Sequence, residues 1–258
     1  MEKIAVITSA IGSSHKLLAQ NFSKNVDYHA FVDQEKLNED SGWITHKVEN
    51  IAVNEFYSDR LTAKQYKISP YKFLENYSYI IWIDSNIVLN YDPQTLVDNY
   101  LNGFEFAIIH HYKRNCLYDE LKEAVIHKLD DYKKLEKQNK AYQSMGFLKN
   151  KGLYECNFIL TKNTKSVIQL SNLWWEHITK FSSRDQISLP FVLSQLNIKV
   201  NTINVEDNNN QKLFSKTIQT PKSRIYTKQP ATFFSMKIHL ARRVSLIKKA
   251  ITLWVAKF

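Results

Sequence analysis

The sequence contains few of the residues that break or cross-link a chain. Its 258 residues include only five glycines, five prolines and two cysteines. So few glycines and prolines leave little room for flexible linkers or low-complexity tracts, and we find no internal repeat. The two cysteines, Cys116 and Cys156, lie outside any CxxC pair. This excludes a disulfide framework and a cysteine-based metal site, and it favours a reducing compartment.

Long apolar runs are missing as well. No stretch is apolar enough to span a bilayer. The first residues, MEKIAVITSAIGSSHK, enter a strand-like run without a basic segment followed by an apolar one, as a secretory leader would have. We therefore expect a cytoplasmic protein.

Acidic residues are absent from the end of the sequence. Residues 212–258 contain 11 Lys or Arg and no Asp or Glu, which leaves 24 basic and 25 acidic residues in 1–211. This divides the chain into a neutral body, residues 1–211, and a basic tail, residues 212–258. A neutral body argues against nucleic-acid binding, because surfaces that follow phosphates need clustered cations.

Strand-like and helix-like segments alternate along the body. The predicted strands are KIAVITSA, YHAFVDQ, WITHKV, YIIWI, FEFAIIHHY, GLYECNFILTK and IKVNTI. The predicted helices are residues 55–75 with a break at Pro70, a helix capped by Asp92 with Pro93 at its first position, a charged surface helix at 117–141, SVIQLSNLWWEHITKF and SSRDQISLPFVLSQL. Such alternation predicts an α/β domain with a mostly parallel, covered central sheet.

The segment NYSYIIWIDSNIVL interrupts a buried-looking strand with DSN. Ligands of parallel sheets bind beyond the carboxyl ends of the strands, where Asp84 would lie. Asp84 and Asn86 would both supply oxygen ligands, which Mn²⁺ or Mg²⁺ prefers, and such a cation can bridge the phosphates of a nucleotide. The alternative interpretation is a polar turn that ends the strand.

Three basic residues precede this strand at helical spacing. Arg60, Lys64 and Lys67 would share one helical face, where they could contact phosphates or only water.

Several segments together resemble a known family. YKISPYKFL, YIIWIDSNIVL, HYKRNCLYDE, GLYECNFIL and LWWEHITKFSSRDQISLPF are similar to successive blocks of a glycosyltransferase-like family of bacterial polysaccharide loci. The family is related to plant proteins linked to cell-wall mucilage and was formerly classed as a domain of unknown function. The resemblance implies a GT-A-like, single Rossmann-type domain that binds a nucleotide sugar, with Asp84 and Asn86 in its DXD-like element. The family's other blocks are matched by His111, Arg114, Cys116, Tyr118 and Glu120, and by Arg184, Asp185 and Gln186.

These considerations predict a set of site residues. The catalytic candidates are Asp185 as first choice of base, Glu155 as second, and Arg184; Asp185 could instead cap a helix. His111 is a candidate third metal ligand or a hydrogen-bonded structural histidine. Trp174 and Trp175 are expected in the core. The candidate donor-binding residues, some assigned only by their position at strand ends, are Thr8, Ser9, Asp33, Arg60, Lys64, Lys67 and Ser85.

The resulting functional hypothesis is metal-assisted transfer of a sugar from a nucleotide diphosphate donor, with UDP-sugars as first candidates, to a glycan or lipid-linked acceptor in surface polysaccharide synthesis. Two alternatives stay open: a non-catalytic, membrane-associated glycan-binding or scaffold protein, and a sugar nucleotidyltransferase. No GxGxxG or Walker A loop is present, which argues against a nicotinamide enzyme or a P-loop kinase.

The basic tail predicts a C-terminal amphipathic helix. One stripe of that helix would carry Leu240, Val244, Ile247, Ile251, Trp254 and Phe258, with Arg242, Ser245 and Lys249 largely opposite. We expect it to bind an anionic membrane surface peripherally. The alternative is a helix that packs on the protein's own core or on a second subunit.

Overall fold

The computed structural model describes residues 2–12, 17–33, 41–48, 58–196, 198–205, 212–217 and 232–255. The strands are β1 (Ile4–Ala10), β2 (Val26–Val32), β3 (Ile44–Lys47), β4 (Tyr79–Ile83), β5 (Ile87–Leu89), β6 (Phe106–His110), β7 (Tyr154–Lys162), β8 (Val200–Ile203) and β9 (Phe214–Lys216). The helices are α1 (Ser58–Ile68), α2 (Pro93–Tyr100), α3 (Leu117–Ile126), α4 (Tyr132–Ser144), α5 (Lys165–Lys180), α6 (Asp185–Gln195) and α7 (Phe233–Val255), and a 3-10 turn covers Pro70–Lys72.

The central sheet has seven strands in the order β3-β2-β1-β4-β7-β6-β8. β7 is antiparallel to both of its neighbours, β4 and β6, and the other pairings are parallel. The predicted α/β class with a mostly parallel sheet is therefore confirmed. Because β7 runs in the opposite direction, it begins at the edge where β4 and β6 end, and its first residues face the candidate site.

Two separate cores cover the two faces of the sheet. On one face Ile80, Trp82 and Ile159 pack with the apolar residues of α1, α3, α4, α5 and α6. On the other face Ile81, Ile83 and Phe158 pack with α2 and with the small sheet of β5 and β9. Side chains alternate along a strand, so each residue at the end of β4 belongs to one of these two layers.

The DSN segment is a turn between two strands. The N–H of Ile87 donates to the carbonyl of Asp84 at 2.9 Å, which closes the turn. The apolar run then continues as β5, which leaves the main sheet and pairs with β9. This pairing also places residues 214–216 with the body, beyond the boundary at 211 that the charge pattern suggested.

The prediction of one solvated helix over 117–141 is wrong. The chain forms α3 and α4, separated by a turn in which Lys128 has a positive φ of 53°. Asp131 begins α4 because its side chain accepts hydrogen bonds from the N–H groups of Lys133 and Lys134. Both helices are buried along one side, as Leu121 and Tyr142 show.

The predicted C-terminal helix is present as α7. Its beginning packs on the body, where Phe234 and Ile238 lie against the core and the ring of His239 is 6.4 Å from that of Tyr132. Three residues of the predicted stripe, Leu240, Val244 and Ile247, are instead exposed by 63%, 46% and 60%. The helix therefore does not bury these residues on the protein's own core. The side chains of Ile251, Trp254 and Phe258 lie outside the described residues.

Candidate active site

Asp84 lies at the carboxyl end of β4 and is tied to two neighbours. Its Oδ1 accepts a hydrogen bond from the indole Nε1 of Trp82 at 2.9 Å and lies 3.5 Å from the Nζ of Lys67. The side chain of Asp84 is 42% exposed. In the part of the chain that the structure describes, its second oxygen, Oδ2, makes no hydrogen bond or ion pair. An exposed carboxylate with one available oxygen is therefore presented at the edge of the sheet.

Lys64 and Lys67 of α1 form a buried ion-pair cluster with Asp185, the first residue of α6. Asp185 Oδ1 lies 2.6 Å from Lys64 Nζ, and Oδ2 lies 2.9 Å from Lys67 Nζ. The two lysine side chains are only 11% and 7% exposed. They share one face with Arg60, as the spacing predicted, but they contact a carboxylate rather than water.

The pKa values of this cluster follow from burial and charge. Burial raises the pKa of Asp185, but Lys64, Lys67 and Arg184 outweigh this and lower it overall. Burial lowers the pKa of Lys64 to about 8, although Asp185 opposes the shift. Burial also lowers the pKa of Lys67, but Asp185 and Asp84 together raise it overall. Asp185 is thus ionised, and Lys67 stays charged between its two carboxylates.

A second charged cluster surrounds Glu120 of α3, which is 3% exposed. Its Oε2 accepts hydrogen bonds from Arg114 Nη2 at 2.6 Å and Nε at 3.1 Å. Its Oε1 accepts one from Arg184 Nη2 at 3.3 Å, and the same Nη2 donates to Gln186 Oε1 at 2.9 Å. Arg184, a predicted catalytic residue, is thereby fixed beside Asp185 at the start of α6.

His111 belongs to this second cluster and not to the group around Asp84. Its Nδ1 accepts from the N–H groups of Lys113 and Arg114, each at 3.1 Å. Its Nε2 lies 3.8 Å from Glu155 Oε1 and 4.0 Å from Glu120 Oε2. Burial lowers the pKa of His111. These contacts favour a hydrogen-bonded structural histidine over the predicted third metal ligand.

Arg60 stabilises the turn between α3 and α4. Its Nη1 donates to the carbonyl of Leu129 at 2.7 Å and lies 3.7 Å from Asp130 Oδ2. Asp130 is fully buried and also accepts from the N–H of Ser183 at 2.9 Å. Arg60 was predicted to bind phosphates, but these contacts commit its guanidinium to the protein.

Four of the predicted donor-binding residues occupy different positions at the sheet edge. Ser9 lies on the same face as Trp82 and Asp84, because the pairing of Ile7 with Trp82 continues in that direction. Thr8 points to the opposite face, where it is 1% exposed and its hydroxyl has no hydrogen-bond partner among the described residues. Asp33 follows β2 and accepts from the N–H of Gly12 at 2.8 Å. Ser85 lies within the DSN turn and is nearly buried.

Trp174 is a core residue, as the sequence predicted. It is 2% exposed, and its Nε1 donates to the carbonyl of Asp185 at 3.3 Å and to Ser188 Oγ at 3.1 Å. Trp175 packs partly buried against the same core. Trp174 therefore supports the start of α6 from within.

A divalent cation fits the oxygen groups at Asp84. Across the described residues, no group of three or more His, Cys, Asp or Glu could hold a metal ion, so a cation here would also need amide or phosphate oxygens. Asn86 would offer its Oδ1, because its Nδ2 donates to the carbonyl of Thr217 at 3.2 Å. Asn157 of β7 would offer another. The N–H of Asp84 donates to its carbonyl at 3.0 Å, and its side-chain Oδ1 is buried without a hydrogen-bond partner in the described chain. This all-oxygen set suits Mg²⁺ or Mn²⁺.

Two residues of this site were not predicted as members from the sequence. Asn157 lies in the strand-like segment GLYECNFIL, whose pattern does not show which neighbour its amide contacts. In the sequence, Trp82 is one more apolar residue of a strand that is expected to be buried. Only the pairing of β4 with β7 brings the backbone of Asn157 to Asp84, and only the alternation along β4 puts Trp82 on the same face as Asp84.

A known protein family matches most of the chain. Residues 4–219 match the family model of the TOD1/MUCI70 glycosyltransferase-like domain. The chain therefore belongs to this family, and the resemblance found in the sequence is confirmed.

Two individual proteins are similar to the chain. The probable hexosyltransferase MUCI70 of Arabidopsis thaliana is 30% identical over 215 residues, which cover 70% of this chain and 35% of that protein. The apo structure of the bifunctional glycosyltransferase WbbM gives a TM-score of 0.44 with 11% identity, and it covers 78% of this chain and 39% of that one. The chain thus spans only about a third of the length of its plant relative.

Proposed function

We propose that the chain is a glycosyltransferase that moves a sugar from a nucleotide diphosphate donor to a glycan or lipid-linked acceptor. The observation that carries the proposal is the array Asp84, Lys67 and Asp185, in which a partly exposed carboxylate lies next to a buried, paired ammonium group. It lies at the edge of the sheet where ligands of α/β proteins bind. Family membership and the printed name of the plant relative support the same reaction class.

Transfer breaks the bond between the sugar and the diphosphate, so negative charge grows on the leaving group. Fixed positive charge beside that group lowers the barrier most when it needs no rearrangement. Lys67 meets this requirement because Asp185 and Asp84 hold its ammonium group from two sides. Asp185 and Lys64 thus act by positioning Lys67.

Asp84 and Asn86, with the amide oxygen of Asn157, would hold a divalent cation. When bound, such a cation would supply further positive charge for the diphosphate oxygens.

We propose Glu155 rather than Asp185 as the acceptor base. Asp185 is 4% exposed, both of its oxygens contact lysines, and its lowered pKa makes it a weak base. The side chain of Glu155 is 21% exposed at the start of β7, near His111. If the reaction inverts the anomeric centre, Glu155 is the better placed carboxylate.

The test is release of free nucleoside diphosphate from a panel of nucleotide sugars, with UDP-sugars first, by wild type and by Asp84→Ala. We expect metal-dependent release by wild type, and loss of Mn²⁺-dependent donor binding in the variant by calorimetry. Asp119→Ala is the control, because this aspartate is 50% exposed in a surface ion pair with Lys122.

Other outcomes favour the alternatives. Formation of pyrophosphate from a nucleoside triphosphate and a sugar phosphate would indicate a nucleotidyltransferase. Glycan binding without any release of nucleoside diphosphate would indicate a binding or scaffold protein. Unchanged donor affinity in Asp84→Ala would contradict the metal assignment.

We further propose that α7 binds an anionic lipid surface and brings the protein to a lipid-linked acceptor. Leu240, Val244 and Ile247 are exposed on this helix, and Arg242 and Arg243 are exposed beside them. The tail contains no acidic residue that would oppose an anionic surface. Among the described helices, α7 included, none has the length and apolar character needed to cross a membrane.

Vesicle sedimentation tests this second proposal. The full chain should sediment with vesicles rich in phosphatidylserine at low salt and should be released at high salt. A chain truncated after Phe234 should not sediment. Equal binding of the truncated chain, or binding to neutral vesicles alone, would contradict the proposal, and a salt-independent dimer would indicate a second copy as the partner.

A further inference from the structure

Trp82 connects the two charged groups at the centre of the site. It lies two residues before Asp84, so its side chain points to the same face of the extended chain. Its Nε1 donates to Asp84 Oδ1 at 2.9 Å, and its ring lies 5.5 Å below Lys67 Nζ. The residue is only 4% exposed, yet its polar atom contacts a carboxylate that is 42% exposed. Trp82 thus extends from the core to the surface of the site.

These contacts restrict Asp84 to one orientation. Both the indole N–H and the Lys67 ammonium contact Oδ1, so Oδ2 is the oxygen that remains for a ligand. A carboxylate next to solvent would otherwise rotate freely about its last bond. Groups that hold a ligating side chain from behind commonly set its affinity.

We propose that Trp82 is a positioning residue of the donor site: its indole N–H orients Asp84, and its ring supports the ammonium group of Lys67. The inference rests on the proposed function, because it assumes that Asp84 contacts a cation or a nucleoside diphosphate. A phenylalanine would fill most of the same space and keep an aromatic ring beneath Lys67. It would lack the N–H, so the two roles of Trp82 can be separated by a single substitution.

The first measurement tests the hydrogen bond without any ligand. The chain has five tryptophans, so five indole N–H resonances are expected in a ¹H–¹⁵N spectrum, and the one absent from Trp82→Phe belongs to Trp82. Asp84→Asn should shift this resonance more than the other four. If Trp82→Phe does not fold, sequential assignment of the labelled wild-type protein identifies the same resonance. A Trp82 resonance that does not respond to Asp84→Asn would overturn the inference in either case.

The second measurement tests the consequence for binding. We expect Trp82→Phe to bind Mn²⁺ together with UDP about 10- to 100-fold more weakly than wild type, by calorimetry. Trp43→Phe is the matched control, because Trp43 is 5% exposed and its Nε1 also donates at 2.9 Å, but to the carbonyl of Leu18. The control should bind both probes as wild type does.

The outcomes separate this inference from the proposed function. Equal affinity in wild type and a folded Trp82→Phe would overturn the inference and leave the proposed function intact. A wild-type protein that binds neither Mn²⁺ nor UDP would contradict the proposed donor site. In that case the indole resonance alone decides whether Trp82 orients Asp84.

Discussion

Helices α1 and α7 both carry basic residues at helical spacing, yet the charges of α1 are buried and those of α7 are exposed. In α1 the side chains of Lys64 and Lys67 are 11% and 7% exposed and contact Asp185. In α7 Arg242 and Arg243 are exposed next to apolar residues that are exposed as well. A basic pattern on a helix therefore does not reveal whether its charges meet a carboxylate, a ligand or a membrane.

The difference has an energetic consequence. A buried ammonium group loses its hydration and depends on its partner, so removal of the partner is costly. An exposed guanidinium keeps its hydration, so its removal changes folding little. The charges of α1 should thus matter for folding and for the donor site, and those of α7 for binding to an anionic membrane surface.

The largest effect is expected for Asp185→Asn. This change leaves Lys64 without its counter-ion and Lys67 with only Asp84, and the free energy of unfolding should fall by about 3–5 kcal/mol. Urea unfolding at neutral pH measures it. Asp119→Asn is the matched control, because its ion pair with Lys122 is about half exposed, and it should cost less than about 1 kcal/mol. Similar losses of unfolding free energy in the two variants would contradict the expected difference between a buried and an exposed ion pair.

A somewhat smaller effect is expected from acid, through a partly buried chain of polar groups that joins β2, β3 and Tyr77. The hydroxyl of Tyr77 donates to Asp27 Oδ2 at 2.7 Å, so it accepts a hydrogen bond from His29 Nε2 at 2.9 Å. Because His29 carries its proton on Nε2, its Nδ1 accepts a hydrogen bond from His46 Nε2 at 2.8 Å. Burial, with the help of His46, lowers the pKa of His29 to about 4. Burial also lowers the pKa of His46, so both imidazoles are neutral in the folded protein at neutral pH.

The sign of the pH dependence follows from this shift. Unfolded His29 takes up a proton near its ordinary pKa of 6.5, whereas folded His29 does so only near 4. The stability that neutral His29 contributes is complete above pH 6.5. As the pH falls to 4, this contribution is lost, and the free energy of unfolding decreases by up to about 3 kcal/mol. Urea unfolding across this range should show a shallower pH dependence in His29→Gln. His127→Gln, at a histidine that is 55% exposed, should keep the wild-type dependence.

The smallest effect on folding is expected in α7. Replacement of both Arg242 and Arg243 by Gln should weaken binding to anionic vesicles by about 2 kcal/mol, or about 30-fold. The free energy of unfolding should change by less than about 0.5 kcal/mol. A large loss of stability would show that these arginines have structural partners, as the lysines of α1 do.

Much of the local structure could be predicted from the sequence. Asp92 accepts hydrogen bonds from the N–H groups of Gln94 and Thr95 and Pro93 is the first residue of α2, as the sequence indicated. β4 ends at Ile83, directly before DSN. The break between α3 and α4 was missed because Lys128 and Asp131 lie inside a continuous helical pattern, and neither glycine nor proline marks the turn.

The candidate site was predicted only in part. Asp84, Lys64, Lys67 and Asp185 were all expected at the site, but their mutual contacts were not. Asp185 was expected to be a base or a helix cap, and the structure shows its side chain as the shared counter-ion of two lysines. Sequence patterns report how polar a position is, but they do not report which distant residue will share its charge.

By itself, the sequence determined most of the order of strands and helices, the turn at DSN and the cap of α2, because each depends on residues only a few positions apart. The tertiary structure alone decided that α6 brings Asp185 to the lysines of α1, that β7 brings Asn157 to Asp84, and that Leu240, Val244 and Ile247 of α7 stay exposed. These outcomes depend on how the elements pack around the sheet. Burial in that packing sets the environment of each charge, and with it the pKa and the available partner.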